Sequence, residues 1–147
     1  MPYNDVVEEC LCFGWIDSLP RKLDQQRTML YISPRKQNSN WSKANKDRVA
    51  RLQTLGLLQP AGLAKIEQAK KDGSWYFLDD VEASILPDDL KLALTENEIA
   101  LKNFAAFPPS AKRGILEWIK NAKRPETRIK RIQDTVTKAA LNIKANY

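Results

Sequence analysis

The chain has 147 residues, 43% hydrophobic and 29% charged, so it is long enough for one domain or two small ones with an ordinary core. It contains no histidine, which excludes Ser-His-Asp and Cys-His nucleophile systems and the usual zinc and iron ligand sets. The net charge of +6 is uneven: residues 1–100 hold 13 Lys/Arg and 15 Asp/Glu, whereas residues 101–147 hold 11 and 3. Such a basic C-terminal third favours an acidic partner, although a solvated lysine-rich helical face is the commoner cause.

No segment approaches the roughly 20 apolar residues of a membrane span, and the N-terminus lacks the basic start of a signal peptide. We therefore predict a cytoplasmic protein without a membrane span. Cys10 and Cys12 are too close in sequence for a comfortable disulfide and are interpreted as buried apolar side chains. No cofactor and no metal site is predicted, while carboxylate-bound metals and catalysis by lysine, tyrosine or carboxylate stay open. An enzyme is the less favoured interpretation.

The N-terminal residues predict a helix followed by a β-hairpin. Residues 4–12 form the helix, with Asn4 as its N-cap. Its buried face is predicted to contain Val6, Val7, Cys10 and Leu11. Residues 13–18 and 28–33 are rich in β-forming residues and predict two strands that pair with each other. Because a two-stranded ribbon is marginal alone, it needs a helix packed against it.

Two further helices follow a polar, basic loop. Ser42 is predicted to cap the first and Gly56 to end it, while Pro60 opens the second and Gly73 ends it. Their apolar stripes are predicted to contain Val49, Leu52, Leu55, Leu63, Ile66 and Ala69.

The C-terminal residues predict four helices joined by short turns. The first begins at Pro87, Thr95 and Glu98 form a capping box for the second, Ser110 caps the third, and Pro125 opens the fourth. The hydrophobic staple of the second helix is predicted from Leu94 and Ile99. The apolar face of the fourth is predicted to contain Ile129, Ile132, Val136, Ala140 and Ile143.

These elements predict a mainly α-helical chain with a small β-hairpin. We expect an α+β subdomain with a β-hairpin and an αα-hairpin at 1–73, a linker at 74–86 and a compact helical bundle at 87–147. The five glycines cannot be assembled into either a GxGxxG or a Walker-type loop, which excludes nucleotide-dependent mechanisms of those classes.

The loop and helix start at residues 34–48 is the first segment that could carry function. A helix N-terminus offers free N–H groups, and Arg35, Lys43 and Arg48 add positive charge, which together suit a phosphate or carboxylate. Trp41 would stack on a base or ring. The alternative, which we favour, is that Trp41 fills the core and Ser42 merely caps the helix.

The second segment is the corner between the last two helices. It carries a basic ridge that would contact phosphates without reading sequence. The ridge consists of Lys123, Arg124, Arg128 and Arg131. The favoured alternative is structural, with these arginines held by Glu117 or Asp134.

Four stretches resemble the YdeI/OmpD-associated family of bacteria over essentially the whole chain. They are FGWIDS at 13–18, SPRKQNSNWSKANKDRV at 33–49, PAGLAKIEQAKKDG at 60–73 and WIKNAKRPETRIKRI at 118–132. The resemblance implies a small cytoplasmic bacterial protein associated with bacteriocin protection or with the outer-membrane porin OmpD, without established catalytic residues. The residues that match its first signature are Trp15, Asp17, Arg35, Trp41, Ser42, Asn45 and Arg48. Those that match its second are Trp118, Lys123, Arg124, Pro125, Glu126, Thr127, Arg128 and Arg131.

Members of that family usually have an extra N-terminal segment ahead of the position of Tyr3. Its lack here predicts an unpaired hairpin edge, ready for strand addition by a partner or by a second copy in a homodimer.

Three functional hypotheses follow, in order of preference. The first is a non-enzymatic interaction protein for stress or envelope protection, with an unknown protein partner. The second is a sequence-nonspecific nucleic-acid binder that uses the basic C-terminal helices. The third is a small-anion receptor or an enzyme with a pocket that holds Asp17 near Arg35 and Arg48.

Overall fold

The computed structural model describes residues 1–146 and divides the chain into two compact units, Met1–Leu78 (unit 1) and Asp79–Tyr147 (unit 2). Over the described residues the chain forms eight helices and four short strands. The predicted fold class, mainly α-helical with a small antiparallel hairpin near the N-terminus, is confirmed. None of the helices within residues 1–146 is long and apolar enough to cross a lipid bilayer.

Unit 1 contains three helices and the hairpin. Its elements are α1 (Tyr3–Cys12), β1 (Trp15–Asp17), β2 (Arg21–Lys22), β3 (Thr28–Met29), β4 (Ile32–Pro34), α2 (Lys43–Thr54) and α3 (Pro60–Asp72). Pro60 begins α3 and Gly73 ends it in the left-handed conformation, both as predicted. Ser42 caps α2, also as predicted, because its side chain accepts a hydrogen bond from the backbone N–H of Asn45.

Helix α1 begins differently from the prediction. The extended residue before the helix is Pro2, so Asn4 lies inside the first turn and is not the N-cap. The proline side chain has no hydrogen-bond acceptor, so the helix starts without a capping side chain. The side chain of Asn4 instead accepts a hydrogen bond from Arg48 at 3.2 Å.

The hairpin is present, but it consists of two separate antiparallel ladders. β1 pairs with β4 in a register that places Asp17 opposite Ile32, and β2 pairs with β3, with Arg21 opposite Met29. The strand at β2 was not predicted. Pro20 lacks a backbone N–H and therefore separates β2 from β1. We call β1 and β4 the hairpin base, and residues 18–31 the hairpin arm.

The core of unit 1 lies among the three helices rather than beneath the arm. It consists of Val7, Leu11, Cys12, Trp41, Val49, Leu52, Ile66 and Ala69. Gly62 permits the close approach of α3 to α1, because a Cβ atom there would clash with the carbonyl oxygens of Leu11 and Cys12. Leu55 and Leu63, predicted as inner-face residues, are 55% and 39% exposed. Leu55 is the residue that follows the last turn of α2.

Unit 2 is a helical bundle, as predicted. Its helices are α4 (Asp79–Glu82), α5 (Asp88–Thr95), α6 (Glu98–Ala106), α7 (Pro109–Lys120) and α8 (Pro125–Ala140). Helix α8 packs against α5, α6 and α7. Residues 74–86, predicted as a linker, include α4, which packs against α7 and buries Val81. The predicted division of the chain at 73 and 87 stays a prediction.

Two predicted caps in unit 2 are wrong. Asn97, not Thr95, caps α6 by accepting a hydrogen bond from the N–H of Ala100 at 3.0 Å, because Thr95 still belongs to the last turn of α5. The predicted staple fails with it, since Ile99 is 64% exposed. Helix α7 begins at Pro109, so Ser110 lies in the first turn rather than at the cap.

The buried face of α8 also differs from the prediction. It contains Ile132, Thr135 and Ala139, whereas Ile129 and Ile143 are exposed. Thr135 tolerates burial because its hydroxyl donates to the carbonyl oxygen of Arg131 at 2.8 Å, which satisfies its polar atom within the helix.

Candidate interaction surfaces

Arg35 and Trp41, two of the residues predicted to bind an anion, lie in the interior of unit 1. The guanidinium of Arg35 stacks over the Trp41 ring, with Cζ 3.8 Å from the ring centroid. Its Nη1 donates to the carbonyl oxygen of Asn40 at 3.1 Å. Burial lowers the pKa of Arg35 to about 10, against an opposing effect of Asp17. Arg35 therefore faces Trp41 and the loop backbone.

Trp41 itself is 2% exposed and packs at 5.0 Å, centroid to centroid, against Trp75. Ser42 uses its oxygen for the helix cap, and Lys43 forms an ion pair with Asp47 at 2.7 Å. The start of α2 thus combines a capped N–H group with a cation that already contacts a carboxylate.

A polar cluster surrounds the first turn of α1. The hydroxyl of Tyr3 donates to the carboxylate of Asp17 at 2.6 Å, and this hydrogen bond is the main reason that the pKa of Tyr3 is raised. Arg48 donates to the side-chain oxygens of Asn45 and Asn4 at 3.1 and 3.2 Å. The structure therefore brings three predicted residues, Asp17, Asn45 and Arg48, to the N-terminal turn of one helix.

Tyr3 and Asn4 were missed as members of this cluster. Their positions follow from the packing of α1 against β1 and α2, which are distant in sequence, so no local pattern could have indicated them.

An apolar groove lies between α1 and the outer face of the hairpin base. Trp15 and Ile32 share that face. Asp17 lies directly opposite Ile32 in the register, and Trp15, two residues before Asp17, points to the same side of the strand. The groove has a volume of about 340 Å³. Its lining residues, which we call the α1 groove, are Met1, Val6, Glu9, Cys10, Phe13, Trp15 and Ile32. Trp15 is 38% and Ile32 42% exposed, so an apolar surface is open to a partner.

The hairpin arm carries a second apolar surface. A cavity of about 440 Å³ on the arm is lined by Ser18, Leu19, Arg21, Met29, Leu30 and Tyr31. Of the 20 large hydrophobic side chains that are exposed in the described part of the chain, nine belong to residues 1–32. Their concentration in one stretch distinguishes this surface from the single exposed hydrophobic residues found on most proteins.

The hairpin base also has unpaired backbone groups. The N–H of Arg35 donates to the carbonyl of Gly14, and that of Ser18 to the carbonyl of Tyr31. Since hydrogen-bonded and non-bonded pairs alternate along an antiparallel ladder, the backbone groups of Trp15 and Asp17 point away from β4. Among residues 1–146 these outward groups have no backbone partner.

The basic ridge of unit 2 is partly engaged within the unit. Arg128 makes two hydrogen bonds to the carboxylate of Asp89, at 2.7 and 2.9 Å. Arg131 lies over the ring of Trp118 at 5.0 Å and donates to its carbonyl oxygen. Lys123 and Arg124 are exposed at the corner before α8.

The predicted partners of these arginines, Glu117 and Asp134, bind other cations. Glu117 pairs with Arg113 at 2.6 Å, and Asp134 pairs with Lys138 at 2.9 Å.

The acidic segment at 79–89 supplies the longer-range ion pairs of unit 2. Asp80 pairs with Lys120 at 2.6 Å, and Glu82 pairs with Arg113 at 2.7 Å. Counted by unit, unit 2 holds 12 Lys/Arg and 10 Asp/Glu, a net charge of only +2. The +8 of residues 101–147 is therefore largely offset by acids that precede them in the chain.

No group of three or more Cys, Asp or Glu side chains within residues 1–146 is arranged to hold a metal ion. The two cysteines are free and buried, and burial raises the pKa of both thiols.

Residues 83–142 match the family model described as Bacteriocin-protection, YdeI or OmpD-Associated. This match confirms the resemblance over residues 83–142, which lie in unit 2 and include the stretch at 118–132. The other three stretches, at 13–18, 33–49 and 60–73, lie outside the match. Residues 1–65 match a different model, described as a domain of unknown function (DUF8412). No curated protein and no solved structure matches the chain.

Proposed function

We propose that this chain is a non-enzymatic interaction protein that acts in bacteriocin protection and binds a protein partner through the α1 groove. The family match supports the link to bacteriocin protection. The observation that carries the binding surface is the open, apolar groove between α1 and the hairpin base. A cytoplasmic location is part of this proposal.

The groove has the composition of a protein-binding site. Trp15 is a large aromatic side chain that is only partly buried, and such residues often supply most of the binding energy of an interface. Phe13 and Ile32, 50% and 42% exposed, extend the apolar surface around it. The Tyr3–Asp17 hydrogen bond gives unit 1 a polar contact beside the same hairpin face. Protein interfaces commonly consist of an apolar centre with a polar rim, and this surface has both parts.

The polar cluster beside the groove gives less support to an enzyme. A catalytic tyrosine is activated by a lowered pKa, whereas the hydrogen bond to Asp17 raises the pKa of Tyr3. Arg35, one of the predicted anion-binding residues, contacts Trp41 and the carbonyl oxygen of Asn40 instead of an open surface.

Nucleic-acid binding by unit 2 is likewise less supported. The bidentate pair between Arg128 and Asp89 and the contact of Arg131 with Trp118 engage half of the predicted ridge. Phosphate binding depends on cations that release counterions, so each internally paired arginine reduces it.

The test is survival of bacteria that express the chain and are challenged with a panel of bacteriocins. The groove variant Trp15→Ser/Ile32→Ser removes two apolar anchors from one face of the hairpin base. The matched control is Leu92→Ser/Ile99→Ser, which removes two apolar side chains of unit 2 that are each 64% exposed. Circular dichroism verifies that both variants fold.

We expect the wild type and the control to protect and the groove variant to lose protection. Equal protection by the two variants would overturn the proposal, as would a wild-type chain that protects against none of the bacteriocins.

A further inference from the structure

We propose that the hairpin arm of one copy seats in the α1 groove of a second copy, and that two such contacts form a two-fold symmetric homodimer. This inference rests on the proposed function, because it names a partner for the same apolar surface.

The arm is an apolar element without a core of its own. Leu19, Leu23 and Tyr31 are 84%, 53% and 73% exposed, and Met29 is 48% exposed. The only ladder within the arm is the two-residue pairing of β2 with β3. A two-stranded ribbon of this kind gains stability when its apolar side chains pack against another surface.

The α1 groove provides a surface of matching character. Its lining combines aliphatic residues of α1 such as Val6 with the aromatic and aliphatic residues Phe13, Trp15 and Ile32. Seating the arm there would remove two exposed apolar surfaces from water in one step, and burial of apolar area is the main driving force of association.

The charges of the two parts are opposite. The arm carries Arg21 and Lys22, both exposed, which have no salt-bridge partner in the described residues. Helix α1 carries Asp5 and Glu9, also exposed and outside every ion pair of unit 1, and Glu9 lines the groove itself. Charge complementarity of this kind selects a partner and fixes its orientation.

A two-fold axis satisfies both contacts together. In an isologous dimer, the contact from arm to groove is repeated from the second copy to the first, so the interface closes on itself. If fully extended, the six residues 18–23 would span roughly 20 Å, which is long enough to place an arm alongside the hairpin base of a two-fold related copy. Because both complementary parts belong to one chain, a second copy fits better than an unrelated partner.

The experiment uses the full chain and two charge-reversal variants. Arg21→Glu/Lys22→Glu makes the arm acidic, and Asp5→Lys/Glu9→Lys makes α1 basic. Each variant alone places like charges in both contacts, whereas an equimolar mixture restores opposite charges in both. Mass is measured by light scattering after size exclusion over a concentration series, and native mass spectrometry identifies mixed dimers.

We expect the wild type to dimerise, each variant alone to dimerise at least about tenfold more weakly, and the mixture to recover as a mixed dimer. Glu9→Lys alone replaces the double variant if Asp5→Lys prevents folding. A wild type that stays monomeric, variants that dimerise unchanged, or a mixture of folded variants that fails to pair would each overturn the dimer.

These outcomes are separable from the proposed function. If the wild type is monomeric but Trp15→Ser/Ile32→Ser abolishes bacteriocin protection, the homodimer is wrong and the groove binds another protein. If the mixed dimer forms and the groove variant still protects, the homodimer stands and the proposed function fails.

Discussion

Units 1 and 2 each carry 12 Lys/Arg, but they expose different chemistry. In unit 2 the acids of the 79–89 segment pair across the bundle with Lys120, Arg113 and Arg128. In unit 1 two of the ion pairs are local, Arg27 with Asp24 and Lys43 with Asp47, and the apolar residues of the arm stay exposed. A charge excess in one stretch of sequence therefore does not by itself indicate an interaction surface, because the fold can pair those charges with opposite charges from another stretch.

Within unit 1, some aromatic side chains stabilise the fold and others stay exposed. Trp41 is buried among the helices, whereas Trp15 lies on the open face of the hairpin base. The two tryptophans belong to the same unit, so substituting each of them distinguishes a core role from a surface role.

The largest effect is expected at Trp41. Trp41→Ala should lower the free energy of unfolding by about 3–5 kcal/mol, because it leaves a cavity among α1, α2 and α3. Trp15→Ala should cost clearly less than Trp41→Ala, since the Trp15 side chain is 38% exposed and the Trp41 side chain is 2% exposed. Urea unfolding followed by circular dichroism measures both values, and equal losses would contradict the distinction between core and surface.

A smaller effect is expected in the ion-pair network of unit 2. Arg113→Ala removes two hydrogen bonds to Glu82 and one to Glu117, all partly buried, and should cost about 1–2 kcal/mol. Lys130→Ala serves as the control, because Lys130 is exposed and outside the ion pairs of the described residues. Thermal unfolding measures both variants. Equal losses of stability for Arg113→Ala and Lys130→Ala would argue against a stabilising role of the ion pairs of Arg113.

The smallest effect should depend on pH. The hydrogen bond from Arg128 is the main reason that the pKa of Asp89 lies below its ordinary value. A depressed carboxyl pKa stabilises the folded state above the ordinary value near 3.8, and this contribution disappears as the pH falls through the lower, folded pKa. Asp89→Asn should therefore lower the free energy of unfolding by about 0.5–1 kcal/mol at pH 7, a small loss because the pair is partly exposed to solvent. At strongly acid pH the substitution should have no effect on stability.

The control is Asp88→Asn, which removes a neighbouring acid from the same helix turn but no arginine contact within residues 1–146. Denaturant unfolding at pH 7 and below pH 3 measures both variants. A stability difference for Asp89→Asn that persists at acid pH would show that the ion pair is not its cause.

Local signals in the sequence predicted much of the fold. Ser42, Pro60, Gly73 and Pro125 mark the helix ends where they were expected, because caps and helix breakers act through the backbone nearest to them. Asn97 was missed in favour of Thr95, since a stretch with several capping residues does not reveal how far the preceding helix continues.

The candidate site was predicted less well than the fold. Arg35 and Trp41 were singled out, but their mutual stacking depends on tertiary packing. The α1 groove was missed as a surface because its residues come from α1 and the residues beside it, from β1 and from β4. Only the strand register brings Trp15 and Ile32 to one face. A groove made of separate elements has no linear motif.

The most direct test of the account compares the two units in one assay of bacteriocin protection. It sets Trp15→Ser/Ile32→Ser in the α1 groove against Lys123→Glu/Arg124→Glu at the exposed basic corner of unit 2. We expect the groove variant to lose protection and the basic-corner variant to retain it. Loss of protection only in the basic-corner variant would contradict the account and place the functional surface in unit 2.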